Sequence, residues 1–241
     1  MKIRKIIYFA ACCLILNQQS KGQSLNDDFN GTSVNASLWN VILPFDQSQI
    51  SESGGSLTTT GRGTLETVAG FSSPYTVSGA VTLNNSLEHF SVTLRSDLQT
   101  GYQSTDGSFY YELTGVKAEF SADGNQISIQ QFTPNDTTIL SLASYSFFVG
   151  QTYDFSVTDT GSEIDFAING VSLLSAATTY ATGDQIAFQS REFPDISSSL
   201  DFVSIAPVPE PSSFALAGLG SLILKMYSKI KAPKKKFIEG D

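Results

Sequence analysis

Residues 152–170 read Thr152-Tyr153-Asp154-Phe155-Ser156-Val157-Thr158-Asp159-Thr160-Gly161-Ser162-Glu163-Ile164-Asp165-Phe166-Ala167-Ile168-Asn169-Gly170. Tyr153, Phe155 and Val157 alternate with Asp154, Ser156 and Thr158, and Ile164, Phe166 and Ile168 alternate with Glu163, Asp165 and Ala167. Successive side chains of a strand point to opposite faces, so a period of two with one apolar phase describes a half-buried strand. Asp159-Thr160-Gly161 divides the two runs and Asn169-Gly170 closes the second, a pair that supplies the positive φ angles of a tight hairpin. The stretch predicts two antiparallel strands with one face on a core and one in water.

The same grammar extends in both directions. Phe90, Val92 and Leu94 alternate with Ser91, Thr93 and Arg95, and turn pairs recur at Asn30-Gly31, Gly54-Gly55, Asp106-Gly107 and Asp123-Gly124. No window between the two ends of the chain keeps a helical period. Strand-like runs every 8 to 14 residues predict roughly 12 to 14 strands and an all-β, two-sheet antiparallel sandwich over residues 24–206.

Both ends differ from this middle. Lys2-Ile3-Arg4-Lys5 precedes an apolar run from Ile6 to Leu16, followed by polar residues and the small residues Ser20 and Gly22. That is the layout of a secretory signal peptide over residues 1–22; its apolar run rises only about 16 Å as a helix, short of a ~30 Å hydrocarbon core. Signal peptidase and the secretion translocon are the partners this implies. Both cysteines, Cys12 and Cys13, lie inside the run. The mature protein then has no disulfide, thiol nucleophile or thiolate metal site, and its core alone must hold it.

Between Ser24 and Pro207 there are 20 acidic residues against four basic ones, Arg62, Arg95, Lys117 and Arg191, a net of −16; four further basic residues precede Gly22 and six lie from Lys225 onward. A domain of that charge repels nucleic acid and anionic lipid.

The C-terminal segment 207–241 has three parts. Pro207, Pro209 and Pro211 lack amide donors and favour an extended path, which ends the β domain. An apolar stretch over about 212–227 reaches ~24 Å as a transmembrane helix, short but workable if Lys225 snorkels. Lysines within the basic end, 225–241, place the C-terminus in the cytoplasm. The order of parts resembles the PEP-CTERM sorting signal, whose namesake motif matches Val208-Pro209-Glu210-Pro211. The resemblance implies recognition by an exosortase, a membrane protease that cuts near the motif, and therefore export, anchorage at the inner membrane in transit, and a final place at the cell surface or in the extracellular matrix. An ordinary tail anchor on a proline-rich stalk is the alternative.

Leu25-Asn26-Asp27-Asp28-Phe29-Asn30-Gly31, continued by Leu38-Trp39, resembles the opening of concanavalin A-like jelly rolls, the fold of many lectins and glucanases. Gly183–Phe188 and Leu200–Ile205 are similar to the closing strands, which pair beside the first. An immunoglobulin-like sandwich is the alternative, without its Cys-Trp-Cys signature. The resemblance also implies a candidate structural Ca²⁺, for which Asp27, Asp28 and Asp201 would be the oxygen donors; no other cofactor is expected.

Glucanases of this superfamily carry Glu-x-Asp-x-(x)-Glu on one strand. Glu163-Ile164-Asp165 begins that string, but Ala167 and Ile168 stand where the second Glu should be, and retaining hydrolysis needs two carboxyl groups. His89 is the single histidine, which leaves no His-rich metal site. The sequence therefore points to a non-catalytic lectin-like domain that binds extracellular polysaccharide. Arg95, Tyr110, Glu112 and Arg191 are the ligand-binding candidates, because sugar recognition joins aromatic faces to side chains that bond hydroxyls; Trp39 is assigned to the core. A glycoside hydrolase of the same fold and a structural matrix protein without ligand are the alternatives.

Overall fold

The computed structural model describes residues 23–43, 48–97, 113–133, 136–190 and 196–208, and the backbone of 102–103 and 109–110. The signal-peptide segment 1–22, Glu112, Arg191 and all of the tail after Val208 lie outside these residues. The described strands belong to one unit, Lys21–Val208.

Among the described residues seventeen strands are formed: β1 Leu25–Asp27, β2 Trp39–Ile42, β3 Gln49–Ser53, β4 Ser56–Thr60, β5 Thr64–Thr67, β6 Tyr75–Leu83, β7 His89–Asp97, β8 Tyr102–Gln103, β9 Phe109–Tyr110, β10 Thr114–Ser121, β11 Gln126–Thr133, β12 Asp136–Ser144, β13 Thr152–Asp159, β14 Glu163–Ile168, β15 Val171–Ala177, β16 Gln185–Gln189 and β17 Ser197–Pro207. The excess over the expected number comes from pieces such as β1, β8 and β9, two or three residues each, too short to show a period. One antiparallel sheet runs β15-β14-β13-β6-β17-β4-β3, with β1 also on β17; the other runs β12-β11-β10-β7-β16-β5-β2; β8 and β9 pair with each other. Among the described residues no helix is long and apolar enough to cross a membrane.

The apolar phases of both sheets meet in one core. Phe90, Phe120 and Phe188 come from the seven-stranded sheet, Phe155 and Phe166 from the eight-stranded one, and all are buried. Phe120 meets Phe166 edge-on at 5.1 Å and Phe155 at 5.9 Å, so aromatic pairs bridge the sheets. Trp39 is core, as its place in the opening suggests, packed edge-on at 5.9 Å from Phe188. Its indole N–H needs a partner once buried. Asp27 supplies one, accepting from Trp39 Nε1 at 2.7 Å on Oδ2 and from Phe29 N at 3.0 Å on Oδ1.

The closing strands fall as the sequence implied only in part. β17 pairs with β1, Leu25 opposite Ile205, but β16 lies in the other sheet between β5 and β7. β17 continues to Pro207 opposite Tyr75, and the amide of Val208 donates to Pro74 O at 3.1 Å. The last strand of the sandwich thus runs directly into the proline-rich segment.

Candidate functional site

In the seven-stranded sheet, the residues that alternate with the core side chains form a polar face. The strand registers align Asn40, Glu66, Ala187, Thr93, Lys117 and Gln130 in one row across six strands. The next row is Thr64, Gln189, Ser91, Glu119 and Ser128. Although polar, Thr64, Glu66, Ser91, Thr93, Lys117, Ser128 and Gln189 are all buried. Such groups are normally paired. Gln189 Nε2 donates to Thr64 Oγ1 at 2.9 Å and Ser96 Oγ to Glu66 Oε1 at 3.0 Å, whereas Thr93 Oγ1 has no hydrogen-bond partner. Lys117 Nζ lies 4.0 Å from the centroid of Phe132, which supplies this face with an aromatic ring. Burial pushes the Glu66 carboxyl above its ordinary range, against the hydrogen bond from Ser96 and with the added charge of Asp97.

At one end of this face His89 is pinned between carboxylates. Its Nε2 is 2.5 Å from Asp123 Oδ1 and 3.1 Å from Ser121 Oγ, and its Nδ1 is 3.4 Å from Glu119 Oε1. Ser121 Oγ donates to the same Asp123 oxygen at 2.9 Å, so this serine is engaged by the acid that binds the ring. The cluster ties the start of β7 to the end of β10 and its turn.

Arg95 sits elsewhere than the alternation suggested. A bulge in the β7 ladders, where the register shifts against both β10 and β16, adds a residue here, and Arg95 takes φ 53°. A bulge re-aims the side chain. Glycines flank it: a Cβ on Gly115 would stand 2.6 Å from Leu94 O, and one on Gly183 2.3 Å from Arg95 O. Arg95 turns inward and is buried, with Nε 2.7 Å from Asp159 Oδ2 and Nη2 2.6 Å from Oδ1. Nη2 also donates to Gly161 O at 2.9 Å and Nη1 to Tyr180 O. All of its nitrogens are spent on the protein, so Arg95 is an inter-sheet clamp and not an open ligand contact. Burial pushes the Asp159 carboxyl up, but the Arg95 and Gly161 hydrogen bonds outweigh it and hold it below its ordinary value.

The remaining sequence candidates do not converge. Tyr110 lies in β9, paired with Tyr102, while Glu112 and Arg191 fall outside the described residues. Asp27 is committed to Trp39 and Phe29, Asp28 is exposed, and Asp201 is the exposed extra residue of a bulge in β17. Among the described residues no group of three or more His, Cys, Asp or Glu side chains is arranged to hold a metal, so the structure does not bring the three aspartates together as a calcium centre. Glu163 is exposed and accepts a hydrogen bond from Ser175 Oγ; it and Asp165 lie on the face of the other sheet that points away from the core. The polar row itself was missed, although the phase Lys117-x-Glu119-x-Ser121 and the domain's only lysine were visible signals.

The tail can be compared directly with known proteins: residues 207–227 match the PEP-CTERM protein-sorting motif. The chain carries a PEP-CTERM tail. That tail implies exosortase-sorted export and membrane anchorage in transit. No curated protein matches the chain in sequence. Among solved structures, the domain is similar to a β-glucanase of Bacillus licheniformis at 13% identity, covering 79% of this chain and 100% of that one with a TM-score of 0.57. It is similar to the carbohydrate-binding module CBM66 of Bacillus subtilis at 12% identity, over 69% and 93% with a TM-score of 0.54. An endo-β-1,3-glucanase of Pyrococcus furiosus matches at 13% identity, over 77% and 94% with a TM-score of 0.55. At such identities the likeness establishes the fold: the PEP-CTERM tail follows a concanavalin A-like jelly roll.

Proposed function

We propose that this chain is a non-catalytic glycan-binding protein of the cell surface or extracellular matrix, delivered by its signal peptide and PEP-CTERM tail. The observation that carries the reading is the row from Asn40 to Gln130 on the polar face, with the unpartnered hydroxyl of Thr93 at its centre. Amide, carboxyl, hydroxyl and ammonium groups beside the Phe132 ring form the mixture that bonds sugar hydroxyls and stacks on a pyranose. Asn40 is exposed and Gln130 half-buried, whereas Glu66, Thr93 and Lys117 between them are closed to solvent, so a ligand reaching the middle of the row requires that the face open, which lowers apparent affinity.

Spacing argues against hydrolysis by the two glutamates of this face. Glu66 on β5 and Glu119 on β10 have β16 and β7 between them, three inter-strand steps or about 14 Å. Glycosidases of either stereochemistry keep their carboxyl pair within about 5–9.5 Å. Along β10 the same phase holds Gly115, Lys117, Glu119 and Ser121, a single carboxylate.

Binding of a panel of soluble neutral β-glucans and uronate polymers, measured by calorimetry, tests the proposal. Thr93→Val is nearly isosteric and removes a hydroxyl that bonds nothing in the protein, so the fold should be unchanged. Loss of one ligand hydrogen bond, about 0.5–1.5 kcal/mol, should weaken binding roughly 2- to 12-fold. Binding to no polymer would favour the structural alternative. Release of reducing ends that disappears in Glu66→Gln would make the protein a hydrolase, with Glu66 and Asp97 as the acids to examine.

A further inference from the structure

The seven-stranded sheet ends at β12, which pairs with β11 on one side and, among the described residues, with no strand on the other. An edge strand offers unpaired amides and carbonyls to any other strand, and soluble proteins blunt it by shortness, charge, proline or bulges; β12 has one bulge, at Leu140 in its ladder with β11. β12 has nine residues, Asp136–Ser144, and no proline. Its one charge is at its first position, so Thr137 to Ser144 are uncharged. The neighbouring edge of the other sheet, β15, contacts β12 and is uncharged throughout, Val171–Ala177. In a domain of net −16, two copies repel each other over much of their surfaces, whereas these two edge strands together carry a single charge, Asp136.

Ile139 and Leu142 are 60% and 51% exposed there. A bulge in the β11–β12 ladder puts Ile139 opposite Gln130 and Leu142 opposite Ser128, so both stand on the polar face. We propose that β12 pairs antiparallel with β12 of a second copy of this chain, joining two seven-stranded sheets into one. A two-fold axis between Leu140 and Ser141 sets each Ile139 opposite Leu142 of the second copy on the same face. Self-pairing thereby covers both exposed side chains and the outward backbone groups together. It needs no glycan.

Register-specific cross-linking of the full chain tests this. With Cys12→Ser and Cys13→Ser as background, one tagged chain carries Ile139→Cys and a differently tagged chain carries Leu142→Cys. Co-produced and oxidised, the two should form the mixed disulfide in several-fold excess over either self-disulfide. Light scattering on the purified full chain in detergent should give twice the chain mass, and Ile139→Lys, at an exposed site, should return it to one with an unchanged circular dichroism spectrum. A chain that stays monomeric when concentrated, a dimer that survives Ile139→Lys, or cross-links only to other proteins would overturn the proposal.

Discussion

Replacing Asp159 by asparagine isolates the inter-sheet clamp. Asp159 is fully buried and takes two charge-assisted hydrogen bonds from Arg95, at 2.6 and 2.7 Å. The substitution keeps the shape and leaves a buried guanidinium without its counter-charge. Breaking a buried pair on one side costs about 3–5 kcal/mol, and for a domain of this size 1 kcal/mol lowers the melting temperature by about 2–4 °C. A fall of roughly 6–20 °C is expected. Trp39, the only tryptophan and buried in the core, reports unfolding in urea by fluorescence without an added probe. In a double-mutant cycle, Arg95→Met with Asp159→Asn should lose about 2–3 kcal/mol less than the sum of the single changes. Recovery will be incomplete, because the Gly161 and Tyr180 carbonyls lose their donor. Acid should act in the same direction as the substitution. A carboxyl held below its ordinary value contributes its stability in full above the unfolded pKa, about 3.9, and loses it as pH falls through the folded value. A single-mutant cost under about 1 kcal/mol would refute the view that this pair holds the sheets together.

Three further outcomes are expected. Glu66 is raised by burial, so native stability should decline as pH climbs from the ordinary glutamate value, about 4.3, through the folded one; Glu66→Gln should flatten that decline in a melting series. Asp27→Ala strands the Trp39 indole N–H, which should cost about 1–3 kcal/mol and alter Trp39 emission. Deleting residues 208–241 should leave a folded β domain that moves from the membrane to the soluble fraction on cell fractionation; equal retention of both forms would contradict a sorting role for the tail.

Much of the fold is legible because it rests on local period and turn chemistry. The hairpin first read, β13 to β14, forms as expected, and Asn169 and Gly170 take φ 52° and 74° in the turn that follows. The buried phase of β7, Phe90 to Leu94, is likewise as read. What failed depends on contacts between residues far apart. Counting twos along β7 puts Arg95 in the polar phase, but a bulge adds one residue to the count and sends the side chain to a partner 64 positions away. Asp27 reads as a metal donor until Trp39, twelve positions on, is seen to occupy it. The row Asn40–Glu66–Thr93–Lys117–Gln130 needs the strand order, which the sequence does not carry.

A crystal structure with an oligosaccharide taken from whichever polymer binds tests the glycan reading most directly. The sugar should lie across β5, β16, β7, β10 and β11, with a hydroxyl on Thr93 Oγ1 and a ring over Phe132. Sugar bound instead to the outer face of the eight-stranded sheet would show that the polar row is only a buried part of the scaffold.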